Sequence, residues 1–198
     1  MPDKIKSIGK VIVLVAPSGA GKTSLSQRLI KDFPNLAFSV SATTRKPRDD
    51  EKDGIDYHFI SPREFQEGID NDRFLEWEEI YGGVRYGTPY SEVENNHNSG
   101  YFTLLDIEVN GALNVKKRYE NECLTVFIKP PSLEVLEKRL KKRGTENEQS
   151  LKMRLDRARL ELQMEHKFDK IIVNDDFDQA YKDLKKLVEQ YIHIYSQG

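Results

Sequence analysis

The chain has little cysteine, no long apolar run and almost no net charge, and each shortage excludes a class of protein. Its single cysteine, Cys123, has no possible partner within the 198 residues. That excludes a disulfide scaffold and a cysteine-rich zinc site, and makes a reducing, cytoplasmic compartment the expectation. The longest stretch free of Asp, Glu, Lys and Arg runs from Phe33 to Thr44, too short and too polar to span a bilayer. The first residues show no apolar run followed by a cleavage site, so no membrane association is expected. A formal net charge of −2, from 31 basic and 33 acidic side chains, argues against a general nucleic-acid binder, although a local basic cluster can still hold a polyanion. With 37% hydrophobic and 32% charged residues, the composition is that of a soluble chain with an adequate core. Its length suits one domain, or a core with a small insertion.

What is present is unevenly placed. Asp49 to Glu79 holds 12 acidic and 3 basic residues, a net of −9, whereas Lys129 to Lys167 holds 11 basic and 7 acidic, a net of +4. Lys138, Arg139, Lys141, Lys142 and Arg143 are bunched within the basic section. Two solvated faces would produce this pattern, and so would two surfaces that meet different parts of a polyanionic substrate.

Apolar, β-branched runs at Lys10–Val15, Tyr101–Asp106, Cys123–Lys129 and Lys170–Asn174 read as buried strands. Helical spacing marks Lys22–Phe33, Val109–Lys117, Leu133–Lys142, Glu148–Met164 and Asp178–Tyr195. Strands alternating with helices predict an α/β fold with a parallel sheet flanked by helices. From Val40 to Ser91 the rhythm breaks into a stretch dense in Gly, Pro and Tyr. That composition predicts an inserted lobe of short antiparallel strands with one short helix. Arg143–Asn147 joins two basic helices and reads as a surface lid.

Between the first strand and the first helix stands Ala16-Pro17-Ser18-Gly19-Ala20-Gly21-Lys22-Thr23, a P-loop in its confirming context with Ala16 where the opening glycine would stand. Small residues let successive backbone N–H groups turn toward phosphate oxygens without a Cβ in the way. Lys22 supplies a charge to the β- and γ-phosphates, Thr23 a hydroxyl to Mg²⁺, and the helix N-terminus a favourable dipole. Ala16 is compatible with this only if its φ is negative. The loop implies a nucleoside triphosphate and leaves the acceptor open.

Ser41-Ala42-Thr43-Thr44-Arg45-Lys46-Pro47-Arg48 places two arginines beside hydroxyls, and Tyr57 follows. Such a set can clamp a second phosphate. Equally, Arg45 and Arg48 can neutralise Asp49, Asp50, Glu51 and Asp53. Asp106 ends a strand, where a carboxylate can reach Mg²⁺-bound water or cap the following helix.

These segments, with Glu51, the run Gly54–Phe59, Phe74-Leu75-Glu76-Trp77, Tyr86-Gly87-Thr88, Leu105-Asp106-Ile107-Glu108, Lys142-Arg143-Gly144-Thr145 and Val173-Asn174-Asp175-Asp176, resemble guanylate kinase in the family's order across nearly the whole chain. The resemblance implies ATP-dependent phosphorylation of GMP to GDP with Mg²⁺. The architecture it implies is a P-loop core (about 5–39, 99–138 and 166–198), an inserted, small mixed β lobe that binds GMP (about 40–92) and a helical lid (about 139–160). By position, Arg45, Arg48, Tyr57 and Tyr86 match residues that hold the GMP phosphate, with Glu51 beside them. Ser41, Glu76 and Thr88 match those that read guanine, whose N1–H and N2–H₂ suit a carboxylate as adenine does not. By the same resemblance, Asp106 and Glu108 match residues that face the junction of the two nucleotides. Arg139, Arg143 and Arg154 match lid and core arginines, and Asn174 matches the adenine side. Lys22, Arg45, Asp106, Arg143 and Arg154 are the expected catalytic set; Ala16 to Thr23 with Arg139, Arg143 and Asn174 would bind ATP. Thr23, and Asp106 through water, would serve Mg²⁺.

Leu151, Leu155, Ala158 and Leu162 form one apolar stripe, leaving Arg154 and Arg157 off it. For Arg157 and Lys138 the expectation is a solvated helix face. The histidines at 58, 97, 166 and 193 need no role, because the acceptor is a phosphate oxygen already largely ionised at neutral pH. A binding module of the same fold, or a kinase for another nucleoside monophosphate, are the alternatives. The first would lack P-loop and lid residues that are present here, and the second is disfavoured by Glu76 with Ser41. A monomer or homodimer acting on small-molecule nucleotides is expected.

Overall fold

The computed structural model describes residues 10–142 and 148–196. Arg143, Gly144 and Thr145, expected in the lid, lie outside the described residues. In chain order the elements are β1 (Val11–Val15), α1 (Lys22–Asp32), β2 (Leu36–Phe38), β3 (Ala42–Thr43), β4 (His58–Phe59), α2 (Pro62–Asp70), β5 (Phe74–Glu79), β6 (Arg85–Pro89), α3 (Tyr90–Asn98), β7 (Phe102–Ile107), α4 (Val109–Tyr119), β8 (Cys123–Lys129), α5 (Leu133–Lys142), α6 (Glu148–Leu162), β9 (Lys170–Val173) and α7 (Phe177–Tyr195).

Five strands form a parallel sheet in the order β2-β7-β1-β8-β9. The central strand β1 is buried along its whole length, as a strand covered on both faces must be. Alternation splits its side chains between two cores. Ile12 and Leu14 pack with Leu25 and Leu29 of α1 and Leu184 and Val188 of α7. Val11, Val13 and Val15 pack with Val109, Ala112 and Val115 of α4. Each such fully buried aliphatic side chain contributes about 1.5–3 kcal/mol relative to exposure. The short strand β2, absent from the sequence expectation, adds Leu36 and Phe38 opposite Phe102 and Leu104; three residues are too few to show a period.

A second sheet, ordered β4-β3-β6-β5, comes from the irregular section. It is mixed, since β3 pairs β4 in parallel while β6 runs antiparallel to both β3 and β5. The antiparallel strands read from turn composition are thus joined by one parallel pair, and the small mixed β lobe implied by the resemblance is present. Two helices flank it, and α2 begins on a capping box in which Ser61 and Glu64 exchange hydrogen bonds and Pro62 takes the first turn. The other, α3, leads back to the parallel sheet; its core-facing position is Val93.

On the far side, α5 and α6 pack through Leu136, Leu140 and Ala158, with Leu151 and Leu155 against them. Three members of the apolar stripe read from the sequence, Leu151, Leu155 and Ala158, thus face α5, while Leu162 packs against the core that holds Val109 and Phe168.

Candidate active site

The β1–α1 connection folds tightly, with Ala20 N–H donating to Pro17 O at 3.0 Å. Two positions need glycine: Gly19 at φ +91° and Gly21 at φ +95°, conformations that L side chains rarely adopt. Ala16 is not among the residues with positive φ, so the condition for replacing the opening glycine is met. Gly21 also has no space to spare, because a Cβ there would lie 2.3 Å from Asn174 Nδ2. That amide donates to Ala20 O at 2.7 Å. Asn174 is buried and lies behind the loop. Arg139 is placed similarly, with Nη2 donating to the Asn174 carbonyl at 2.9 Å. Neither residue lines the cleft described below.

No side chain caps the start of α1, so its first N–H groups remain open to an anion. Lys22 Nζ lies 2.6 Å from Asp106 Oδ1 and donates to Ile107 O at 2.8 Å. Ser26 Oγ donates to Asp106 Oδ2 at 2.9 Å. Burial pulls the Lys22 ammonium toward neutrality, yet Asp106 and Glu108 more than offset this and hold its pKa above the ordinary value. Asp106 is not a helix cap, since Glu108 takes that place on α4.

A cleft of about 230 Å³ opens between the two sheets and α6. The phosphate loop forms one wall through Ala16, Pro17, Ser18, Gly19, Gly21, Lys22 and Thr23, and Ala20 is turned away from it. Ser41, Arg48, Tyr57, Glu76 and Tyr86 form the opposite wall, and Asp106, Glu108 and Arg154 stand between. Arg154 Nη1 reaches Ser18 Oγ at 3.2 Å, which joins α6 to the loop.

Arg45 does not line the cleft. Its Nη1 and Nη2 donate to the two carboxylate oxygens of Glu51 at 2.7 and 2.8 Å, and its Nε to Tyr86 OH at 3.0 Å. Glu51 also accepts from Arg48 N–H at 2.8 Å. The Arg45 hydrogen bonds hold the Glu51 carboxyl down at about 2. The two readings of the arginine pair thus divide between its members: Arg45 neutralises Glu51 and braces Tyr86, whereas Arg48 faces the cleft.

Glu76 is 7% exposed and accepts from Thr88 Oγ1 at 2.6 Å. Burial pushes its carboxyl up to about 7, against the Thr88 hydrogen bond and with help from the Glu78 charge. Thr88 is itself fully buried and does not line the cleft.

The sequence expectation failed at Arg157. This guanidinium is not on a solvated face: its Nη2 lies 2.8 Å from Glu78 Oε1 and 3.4 Å from Glu108 Oε2, and its Nε 2.7 Å from Glu161 Oε1. Burial pushes the Glu161 carboxyl up to about 7. Arg157, Glu78 and Glu161 all line the cleft. The available signal was that Arg157 follows Arg154 by three positions on the side of α6 away from its apolar stripe. Lys138 is exposed, as expected.

Residues 8–191 match the family model described as guanylate kinase. The guanylate kinase of Salinibacter ruber is 47% identical over 97% of this chain and 99% of its own length. That of Chlorobium luteolum is 44% identical over 91% of both. The crystal structure of guanylate kinase from Anaplasma phagocytophilum is 31% identical, covers 93% of this chain and 87% of that one, and superposes with a TM-score of 0.76. A likeness of this extent takes in the parallel sheet, the mixed sheet and both helices of the basic section together, and it places the chain in the guanylate kinase family of nucleoside monophosphate kinases.

Proposed function

We propose that the cleft transfers the γ-phosphoryl group of ATP directly to GMP, giving ADP and GDP. The observation that carries this reading is the pairing, across one cleft, of an open phosphate loop with a buried carboxylate, Glu76, flanked by Arg48, Tyr57 and Tyr86. Residues about 40–92 then serve as the GMP lobe, about 139–160 as the lid, and the remaining segments as the core. Such an activity recycles GMP and supplies the precursor of GTP, in the cytoplasm.

At the acceptor side, Ser41 and Glu76 meet the guanine edge, Thr88 orients Glu76, and Arg48, Tyr57 and Tyr86 hold the phosphate. Arg45 and Glu51 brace that wall. The attacking oxygen belongs to a phosphate whose second pKa is about 6, so no protein base has to be supplied. At the donor side, loop N–H groups and Lys22 hold the triphosphate, with Lys22 leaving Asp106 for phosphate oxygens. Arg154 then stabilises charge spreading over the transferred group and excludes water. Arg143 joins it by the family resemblance.

Mg²⁺ suits these residues. Thr23 and Asp106 both line the cleft, and a hydroxyl with one carboxylate is the small donor set that this ion takes when phosphates and water complete its shell. Bound there, it would neutralise charge on the phosphate oxygens. Among the described residues no group of three or more His, Cys, Asp or Glu is placed to hold a metal, which fits an ion carried in with the nucleotide.

An ADP-release assay run with GMP, AMP, CMP and UMP, with and without Mg²⁺, tests the proposal. Turnover confined to GMP and dependent on Mg²⁺ is expected. No nucleotide-dependent release would overturn it in favour of a binding module.

A further inference from the structure

Gly111 is the third residue of α4, buried in the first turn after the Glu108 cap. It is not among the residues with positive φ, and glycine is the poorest helix former after proline. Neither backbone conformation nor helix stability explains its presence. Space does. A Cβ at Gly111 would lie 2.2 Å from Glu76 Oε2 and 3.0 Å from Glu76 Cδ, closer than carbon and oxygen approach without displacement.

Glu76 is held against that spot from the other sides. Its strand pairs with β6, Glu76 standing opposite Thr88, and the Thr88 hydroxyl fixes Oε1 at 2.6 Å. The carboxylate therefore occupies a seat between β6 and the first turn of α4, and Glu76 lines the cleft. The first-turn N–H groups of α4 have no intrahelical acceptor, and this end of a helix carries partial positive charge. Burial nevertheless raises this carboxyl to about 7; once ionised, it accepts from two adjacent N–H donors.

We propose that Gly111 is a specificity-determining position, which leaves room for the Glu76 carboxylate against α4 and so fixes the direction in which it meets the base. Gly111 touches no substrate and acts only through Glu76. The inference rests on the reading of Glu76 as the acceptor of guanine N1–H and N2–H₂. A side chain at position 111 swings the carboxylate into the cleft, where it no longer aligns with both donors.

The test compares Gly111→Ala, Glu76→Gln and the double variant Gly111→Ala/Glu76→Ala with the unaltered protein. kcat/KM is measured for GMP and for IMP, which lacks the 2-amino group, with KM for ATP as a control. Gly111→Ala is expected to reduce the GMP-to-IMP preference by about tenfold or more, with KM for ATP within about twofold. An unchanged preference in Gly111→Ala, while Glu76→Gln loses it, overturns the role of Gly111. An unchanged preference in Glu76→Gln overturns the reading of Glu76 instead. If Gly111→Ala is too unstable for kinetics, thermal melting decides: removal of the Glu76 side chain in the double variant should recover most of the lost melting temperature, and no recovery refutes the steric seat.

Discussion

Arg157 Nη2 on α6 lies 2.8 Å from Glu78 Oε1 on β5, so one guanidinium ties α6 to the mixed sheet beside the cleft. Glu161 and Glu108 close around the same group. Arg157→Ala would leave three carboxylates facing one another, with Glu161 only 6% exposed. Breaking a buried pair from one side costs about 3–5 kcal/mol. Arg157 keeps some solvent contact, its side chain being 21% exposed, so a loss of about 2 kcal/mol is expected. Urea unfolding measures it, and a loss below about 0.5 kcal/mol would show that solvent and neighbours replace the arginine.

Asn174 supports the phosphate loop from behind. Asn174→Ala removes the hydrogen bond to Ala20 O and leaves a void beside Gly21. The loop amides then lose their fixed direction, and KM for ATP should rise about tenfold, the equivalent of about 1.4 kcal/mol, with KM for GMP within about twofold. Equal changes in both constants would point to general unfolding rather than loop support.

Glu51 holds Arg45 with two hydrogen bonds and the Arg48 backbone with a third. Glu51→Gln keeps the shape but loses the charge-assisted pairing, so the wall that carries Arg48 and Tyr86 loosens. KM for GMP should rise about fivefold, or about 1 kcal/mol. The carboxyl is depressed to about 2 in the fold, so its stabilisation is present above the unfolded value of 4.5 and lost as pH falls through about 2. The stabilities of the two proteins should therefore converge in strong acid, and a gap undiminished between neutral pH and pH 2 would rule out the charge as its source.

Glu76 gives the opposite pH dependence. Its folded value of about 7 lies above the ordinary 4.5, raised by burial and by Glu78 and opposed by Thr88 and Lys22. Between those values the folded state keeps a proton that the unfolded chain has released. Stability contributed by this group therefore falls as pH rises from about 4.5 to about 7, at up to about 1.4 kcal/mol per pH unit, and levels off above. Thermal melts from pH 4.5 to 8 should be flatter for Glu76→Gln than for the unaltered protein. Parallel curves would show that the carboxyl titrates as it does in water.

Much of the site was legible because its chemistry is local. The run Ala16–Thr23 sits between an apolar strand and a helical repeat, and contiguous residues there must form a loop whose amides converge. Arg48, Tyr57, Glu76 and Tyr86 were found through motif position, and the fold brings all four to one wall. Thr88 and Glu51 act one step behind it. Arg157 was misread because a charge off an apolar stripe has the same pattern whether it meets water or three carboxylates.

The alternation of strands and helices, the phosphate loop and the separation of acidic and basic sections can all be read along the chain, since each follows from residues close together in it. Tertiary structure alone decided that Asn174 braces Ala20 from 154 positions away, that Arg157 meets Glu78 across 79, and that the bare Gly111 seats Glu76. The physical reason is that a side chain's role depends on what desolvates it and what pairs with it. The same carboxylate holds its proton near 7 at Glu76 and near 2 at Glu51, and only packing distinguishes them.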